Sequence, residues 1–107
     1  MKINGNLYYY PEKSGLEIFE SVDTAGDYEF DMFVVWRKLD DNTLFYGTDS
    51  GCSWPTPFED FTLDENVNKI TIETFQNFDD SLKNHSRITK SDYNKVINKV
   101  KDFLKIN

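Results

Sequence analysis

Cysteine and histidine are almost missing from this sequence: Cys52 and His85 each stand alone among 107 residues. A single cysteine forms no internal disulfide, so the fold owes nothing to an oxidising compartment. A structural zinc site takes four nitrogen or sulfur ligands, which one Cys and one His do not supply. Long apolar runs are lacking too. None approaches the roughly 20 residues that span a bilayer, and the opening MKINGNLYYYPEK has no uninterrupted apolar stretch of the signal-peptide kind. The expectation is a cytoplasmic protein with no membrane association, no metal and no cofactor.

Positive charge is scarce in the first part of the chain. Residues 1–65 hold fourteen Asp and Glu against four Lys and Arg, while residues 66–107 hold five against eight. The net charge of −7 therefore combines an acidic stretch with a mildly basic one. Nucleic-acid binding needs clustered Lys or Arg against phosphate, which the acidic part opposes. Direct nucleic-acid binding is not expected. An acidic surface instead favours encounter with a protein that carries a basic one.

Aromatic residues are plentiful, with nine Phe, six Tyr and two Trp. Each ring can bury about 150–250 Å², enough for one small domain over residues 1–107 to fold without staples. Leu16, Ile18 and Val22 alternate in a first strand, and DTAGD at 23–27 is a turn. In YEFDMFVVWR at 28–37, Tyr28, Phe30, Met32, Val34 and Trp36 make one apolar face. Phe33 and Val35 make the middle apolar on the other face as well, the pattern of a central strand covered on both sides. DDNT at 40–43 closes a hairpin into a third strand over 43–48, where Gly47 predicts a bulge or a close backbone approach.

Residues 69–72 offer a short fourth strand. Phe75, Phe78 and Leu82 then fall at helical spacing from near Thr74. Tyr93, Val96, Ile97, Val100 and Leu104 make a 3.6-residue stripe behind an N-cap at Thr89 or Ser91. Short turns between strands require antiparallel pairing. The predicted fold is α+β: an antiparallel meander of three to four strands with one or two C-terminal helices packed on one face.

The stretch DSGCSWPTPFED at 49–60 concentrates unusual residues. A Cys52–His85 enzyme, a small hydrolase or transferase, would need a base beside the thiol and a lowered thiol pKa. Neighbouring carboxylates act against that, and His85 sits in the polar segment KNHSR at 83–87, which has the look of an exposed helix end. No catalytic residue is assigned. Pro55 and Pro57 stiffen the stretch, so it is either a preorganised recognition loop or a lid folded over the sheet with Asp49 and Asp60 capping backbone N–H groups. The candidate loop residues are Asp49, Cys52, Trp54, Pro55, Pro57, Phe58, Glu59 and Asp60. A second aromatic cluster, LYYY at 7–10, suits edge packing or an interaction patch.

Three segments carry a resemblance: Y-x-P-E-K-x-G-L-E-I from Tyr9, Y-E-F-D-x-x-V-V-W from Tyr28, and D-S-G-C-S-x-P-x-P-F-E-D from Asp49. Together they resemble a family of small bacteriophage- and prophage-encoded proteins of unknown function. Members commonly read C-S-C-P where this chain has Cys52-Ser53-Trp54-Pro55, which removes the second thiol that a metal or redox role would need. The resemblance implies a phage protein that binds and modulates a host protein, such as a defence or nucleic-acid enzyme; a virion or assembly component is the other setting it allows. The acidic face expected to meet the host partner comprises Glu17, Asp27, Glu29, Asp31, Asp40 and Asp41.

Overall fold

The computed structural model describes residues 6–26, 29–52, 57–58 and 66–106, with the backbone alone at Cys52. Four strands, β1 (Leu16–Asp23), β2 (Glu29–Lys38), β3 (Leu44–Cys52) and β4 (Asn68–Ile70), precede two helices, α1 (Phe75–Lys83) and α2 (Lys90–Leu104). The strands form one antiparallel sheet in the order β1-β2-β3-β4. The architecture is the predicted α+β meander with C-terminal helices.

β2 is the centre of the molecule, and its two faces feed two cores. Phe33 and Val35 point with Val22, Leu44, Tyr46 and Ile70 toward Phe78 and Leu82 of α1 and Val96, Ile97 and Val100 of α2. Phe30, Met32, Val34 and Trp36 point the other way, onto Leu7, Leu16 and Phe58. Five consecutive residues, Met32, Phe33, Val34, Val35 and Trp36, are at most 4% exposed. That is the near-continuous apolar run of a strand buried on both faces.

The second face has no helix among the described residues. It is closed by the N-terminal segment, which runs across it and ends in a 3₁₀ turn, Pro11–Ser14. Asn6 fixes that segment. Its Oδ1 accepts from the N–H groups of Tyr8 and Tyr9, both at 2.8 Å, and its Nδ2 donates to the Pro57 carbonyl at 3.0 Å. The Trp36 indole N–H donates to the Leu7 carbonyl at 2.8 Å, so the largest core ring also loses no hydrogen bond on burial.

Two details differ from the sequence expectation, and a third decides between its alternatives. Leu16, Ile18 and Val22 do not share a face, because the β1–β2 register shifts between Ile18 and Glu20. The extra residue, Phe19, is a bulge, and a one-residue slip turns every later side chain over. Leu16 and Ile18 therefore join the Trp36 core and Val22 the helix-side core. β3 does not stop at Thr48 but continues through Cys52, because β2 is long enough to pair with it as far as Glu29. Finally, Gly47 marks a close approach and no bulge. A Cβ there would lie 3.1 Å from Val67 Cγ1 and 3.3 Å from Trp36 Cζ3, while the register through it is unbroken.

Candidate functional site

The helices do not cover the whole of their sheet face. Phe33 and Val35 of β2 and Tyr46 of β3 lie beneath them. Side chains two residues apart share a face, so Thr48 and Ser50 of β3 and Asp31 and Glu29 of β2 continue the same face toward one end. Thr48, Ser50 and Glu29 are exposed and Asp31 is half-buried. β4 pairs only with residues 44–46 of β3 and stops short of this end. The sheet thus has an open polar end beside the covered core.

The turn that follows α1 stands over this end and is anchored to it. The His85 side chain is only 5% exposed, and its ring meets Phe33 edge-on at 5.8 Å between centroids. Its Nε2 lies 3.0 Å from the Asp31 carbonyl oxygen and 3.4 Å from Asp31 Oδ1. A carbonyl oxygen only accepts, so Nε2 carries the proton and donates. Thr24 Oγ1 donates to the Ser86 carbonyl at 2.7 Å. Arg87 reaches Asp31 Oδ2 at 3.9 Å while remaining 55% exposed. His85 is therefore an anchor and no exposed helix end. The segment is polar because its groups bond to β2 and to the end of β1, a long-range arrangement that local composition does not reveal. With Nε2 committed to the Asp31 carbonyl, that nitrogen is not available as a base for a thiol.

Two recesses flank the anchored turn. The larger is an open cleft of about 710 Å³ between β3 and α1, with Tyr46 and Thr48 on one wall, Asn77, Asp80, Ser81 and the C-cap Asn84 on the other, and His85 and Ser86 at the turn. The α1 residues are spaced i, i+3, i+4, i+7 and so lie along one stripe of the helix. The smaller recess, about 310 Å³, is bounded by Glu29, Phe30, Asp31, Ser50, Gly51 and Arg87. Among the described residues, no three of His, Cys, Asp and Glu gather as a metal site would require, and no helix is long and apolar enough to cross a membrane.

The loop candidates are distributed unevenly about this end. Asp49 is on the opposite sheet face from Ser50; its Oδ2 accepts from the Phe58 N–H at 2.8 Å and its Oδ1 from the Ser50 N–H at 3.0 Å. Phe58 is fully buried, edge-on to Trp36 at 5.2 Å and stacked with Tyr8 at 6.1 Å. Its backbone is left-handed, with φ 61°, held there by that burial and by Asp49. Pro57 contributes its carbonyl to Asn6. These three residues serve the Trp36 core, with Phe58 fully buried and Asp49 and Pro57 half-buried. Cys52 ends β3 opposite Glu29. Trp54, Pro55, Glu59 and Asp60 lie outside the described residues, as does Asp27.

The described acidic candidates lie at opposite ends of the sheet. Glu29 and Asp31 are at the open end. Glu17 pairs with Arg37 at the far end of β2, six residues from Asp31 and so about 20 Å away at roughly 3.3 Å per residue. Arg37 donates to Glu17 Oε2 at 2.7 Å, and this bond holds the Glu17 carboxyl below its ordinary range. Asp40 and Asp41 sit exposed in the β2–β3 hairpin. Hydrogen bonds from Thr43 depress the Asp41 carboxyl, which caps the turn by accepting from the Thr43 N–H at 3.0 Å.

Sequence reasoning missed the wall formed by Asn77, Asp80, Ser81 and Asn84. The signal was present: these residues recur at helical spacing beside the apolar stripe of Phe75, Phe78 and Leu82, and only Asp80 among them is charged. Comparison with known proteins places the chain without adding a role. Residues 5–106 match a domain of unknown function, DUF7574, and the chain belongs to that family. No curated protein and no solved structure matches it.

Proposed function

We propose that this protein is a bacteriophage-type binding protein that modulates a host protein through the open polar end of its sheet. The observation that carries this reading is the contrast within one sheet face: fully buried at Phe33 and Val35, then exposed and polar at Thr48, Ser50 and Glu29. A face left open where its neighbouring half is packed to core density is a place for another molecule to lie. The exposed carboxylates of Glu29 and Asp80, together with a net charge of −7, suit a partner with a basic surface. The resemblance to phage and prophage proteins supplies the host setting.

The residues assigned to contact differ from a uniform acidic face. Glu29, Ser50 and Asp80 border the recesses. Glu17 is already neutralised by Arg37, and Asp40 and Asp41 belong to the hairpin at the other end.

Charge reversal at the two ends tests the proposal. Capture from a host-cell lysate is compared for the wild-type chain, the pair Glu29→Lys with Asp80→Lys, and the control pair Asp40→Lys with Asp102→Lys. Both pairs change exposed residues and alter net charge equally. Loss of a specific captured protein with the first pair and its retention with the control is expected. Equal loss, or retention in both, overturns the assignment to this end.

A further inference from the structure

We infer that the outer edge of β3 beyond β4, from Thr48 to Cys52, takes up an extended segment of the partner protein as a further strand of the sheet; this rests on the binding role proposed above. The Lys38 N–H donates to the Thr43 carbonyl at 2.8 Å, which marks that pair as one that exchanges hydrogen bonds between β2 and β3. Such pairs alternate along an antiparallel ladder. The register runs unbroken from Arg37 with Leu44 to Glu29 with Cys52. Phe45, Gly47 and Asp49 therefore turn their peptide groups toward β2, while Leu44, Tyr46, Thr48 and Ser50 turn theirs away. Leu44 and Tyr46 meet Ile70 and Asn68 of β4. Thr48 and Ser50 lie past its end and are exposed. The Ser50 N–H is taken by Asp49 Oδ1 at 3.0 Å. Among the described residues, the Thr48 N–H and the carbonyls of Thr48 and Ser50 meet no partner.

The other edges of the sheet are treated differently. On β1, Lys99 donates to the Phe19 carbonyl at 2.7 Å and Glu20 accepts from the Ser21 N–H. On β4, Thr74 Oγ1 donates to the outward Lys69 carbonyl at 2.9 Å. Unpaired backbone donors and acceptors on a sheet edge are complementary to the backbone of another strand, with alternate side chains supplying selectivity. The free length from Thr48 to Cys52 is about 17 Å, a strand of average size. Residues of the added strand opposite Thr48 and Ser50 point their side chains to the helix face. There the larger recess borders Thr48 and the smaller borders Ser50, so both side chains enter open space. A partner segment is favoured over a second copy of this chain, which would bring two net charges of −7 together.

The test follows amide hydrogen exchange and chemical shifts of the full chain, with a capped pentapeptide of alternating lysine and valine as the probe. In the free chain the Thr48 amide is expected to exchange about tenfold or more faster than those of Gly47 and Asp49, which bond to β2. The peptide is expected to shift Thr48 and Ser50 and to slow Thr48 exchange. The same peptide N-methylated at two consecutive central residues is expected to do neither. Thr48→Pro removes the outward donor where an edge strand tolerates proline, and is expected to lose the peptide while Thr48→Val, which keeps the N–H, retains it. Should Thr48→Pro not fold, the N-methylated peptide decides. A Thr48 amide protected in the free chain, no shift at Thr48, or equal effects of the two peptides overturns the inference. Self-association of the chain that Thr48→Pro abolishes overturns the choice of occupant. The charge-reversal pairs decide the wider reading separately.

Discussion

At the scale of single residues, the packing around Trp36 is the most constrained feature of the molecule. The ring is fully buried, bonded through its indole N–H, crossed edge-on by Phe58 and given room by the missing Cβ of Gly47. Gly47→Ala places a methyl group 3.1 Å from Val67 and 3.3 Å from the indole. Overpacking of this kind costs about 1–3 kcal/mol, and urea denaturation is expected to show a lower midpoint with an unchanged slope. Unaltered stability would mean that Val67 and Trp36 move apart freely. Gly47 was legible in the sequence because a glycine inside an aromatic strand has few other uses. His85 was not, since its partner Asp31 lies 54 residues away and the local composition is that of a surface turn. Asn6 was hidden for the same reason, whereas Phe58 and Asp49 follow the lid alternative read from the sequence, Phe58 buried and its N–H donated to Asp49.

Among the elements, the strands and helices followed hydrophobic period closely and departed from it where backbone irregularity intervened. β2 was readable on both faces, and α2 from its stripe and from its N-cap, where Thr89 Oγ1 accepts from the Asp92 N–H at 3.0 Å. β1 was not fully readable, because a bulge has no composition of its own. The bulge also protects the outer edge of the sheet. Lys99 of α2 donates to the Phe19 carbonyl at 2.7 Å and lies 4.7 Å from the Phe19 ring centroid, while Glu20 caps the Ser21 N–H. Charged groups and a bulge on an edge strand discourage pairing with another chain.

The two helices are joined by one polar contact with a measurable signature. Tyr93 of α2 donates to Asp79 of α1 at 2.5 Å, and this bond, with burial and the nearby carboxylate charges, pushes the phenol up to about 12. A proton held more tightly in the folded state contributes stability below the unfolded value near 10, and that contribution is lost as pH rises through about 12. Ultraviolet titration is expected to resolve one late-titrating tyrosine that Asp79→Asn returns toward 10. A wild-type titration without that late step would contradict the contact.

Across the whole molecule, the charge asymmetry read from the sequence resolves into internal complementarity. The acidic first part supplies β1 and β2, and the basic second part supplies α2 and the turn before it. Lys95 and Lys99 each approach Glu20 at 3.8 Å, and His85 and Arg87 approach Asp31. Such half-exposed pairs contribute little stability individually, about 0–1 kcal/mol. Among the acidic candidates they engage Asp31, as Arg37 engages Glu17. Exposed carboxylates remain at both ends, Asp40 and Asp41 in the hairpin and Glu29 and Asp80 at the open end. The chain's acidity was legible from composition, and which carboxylates share the open end required the register of β2 against β3.

The proposed contact at the open end is tested most directly by site-specific photo-crosslinking in host lysate. A photoreactive residue at Ser50, on the open end, is compared with one at Lys13, exposed in the 3₁₀ turn that closes the opposite face. The account predicts one discrete adduct from Ser50, diminished by Glu29→Lys with Asp80→Lys, and none of the same mass from Lys13. The same adduct from Lys13, or none from Ser50, would contradict it.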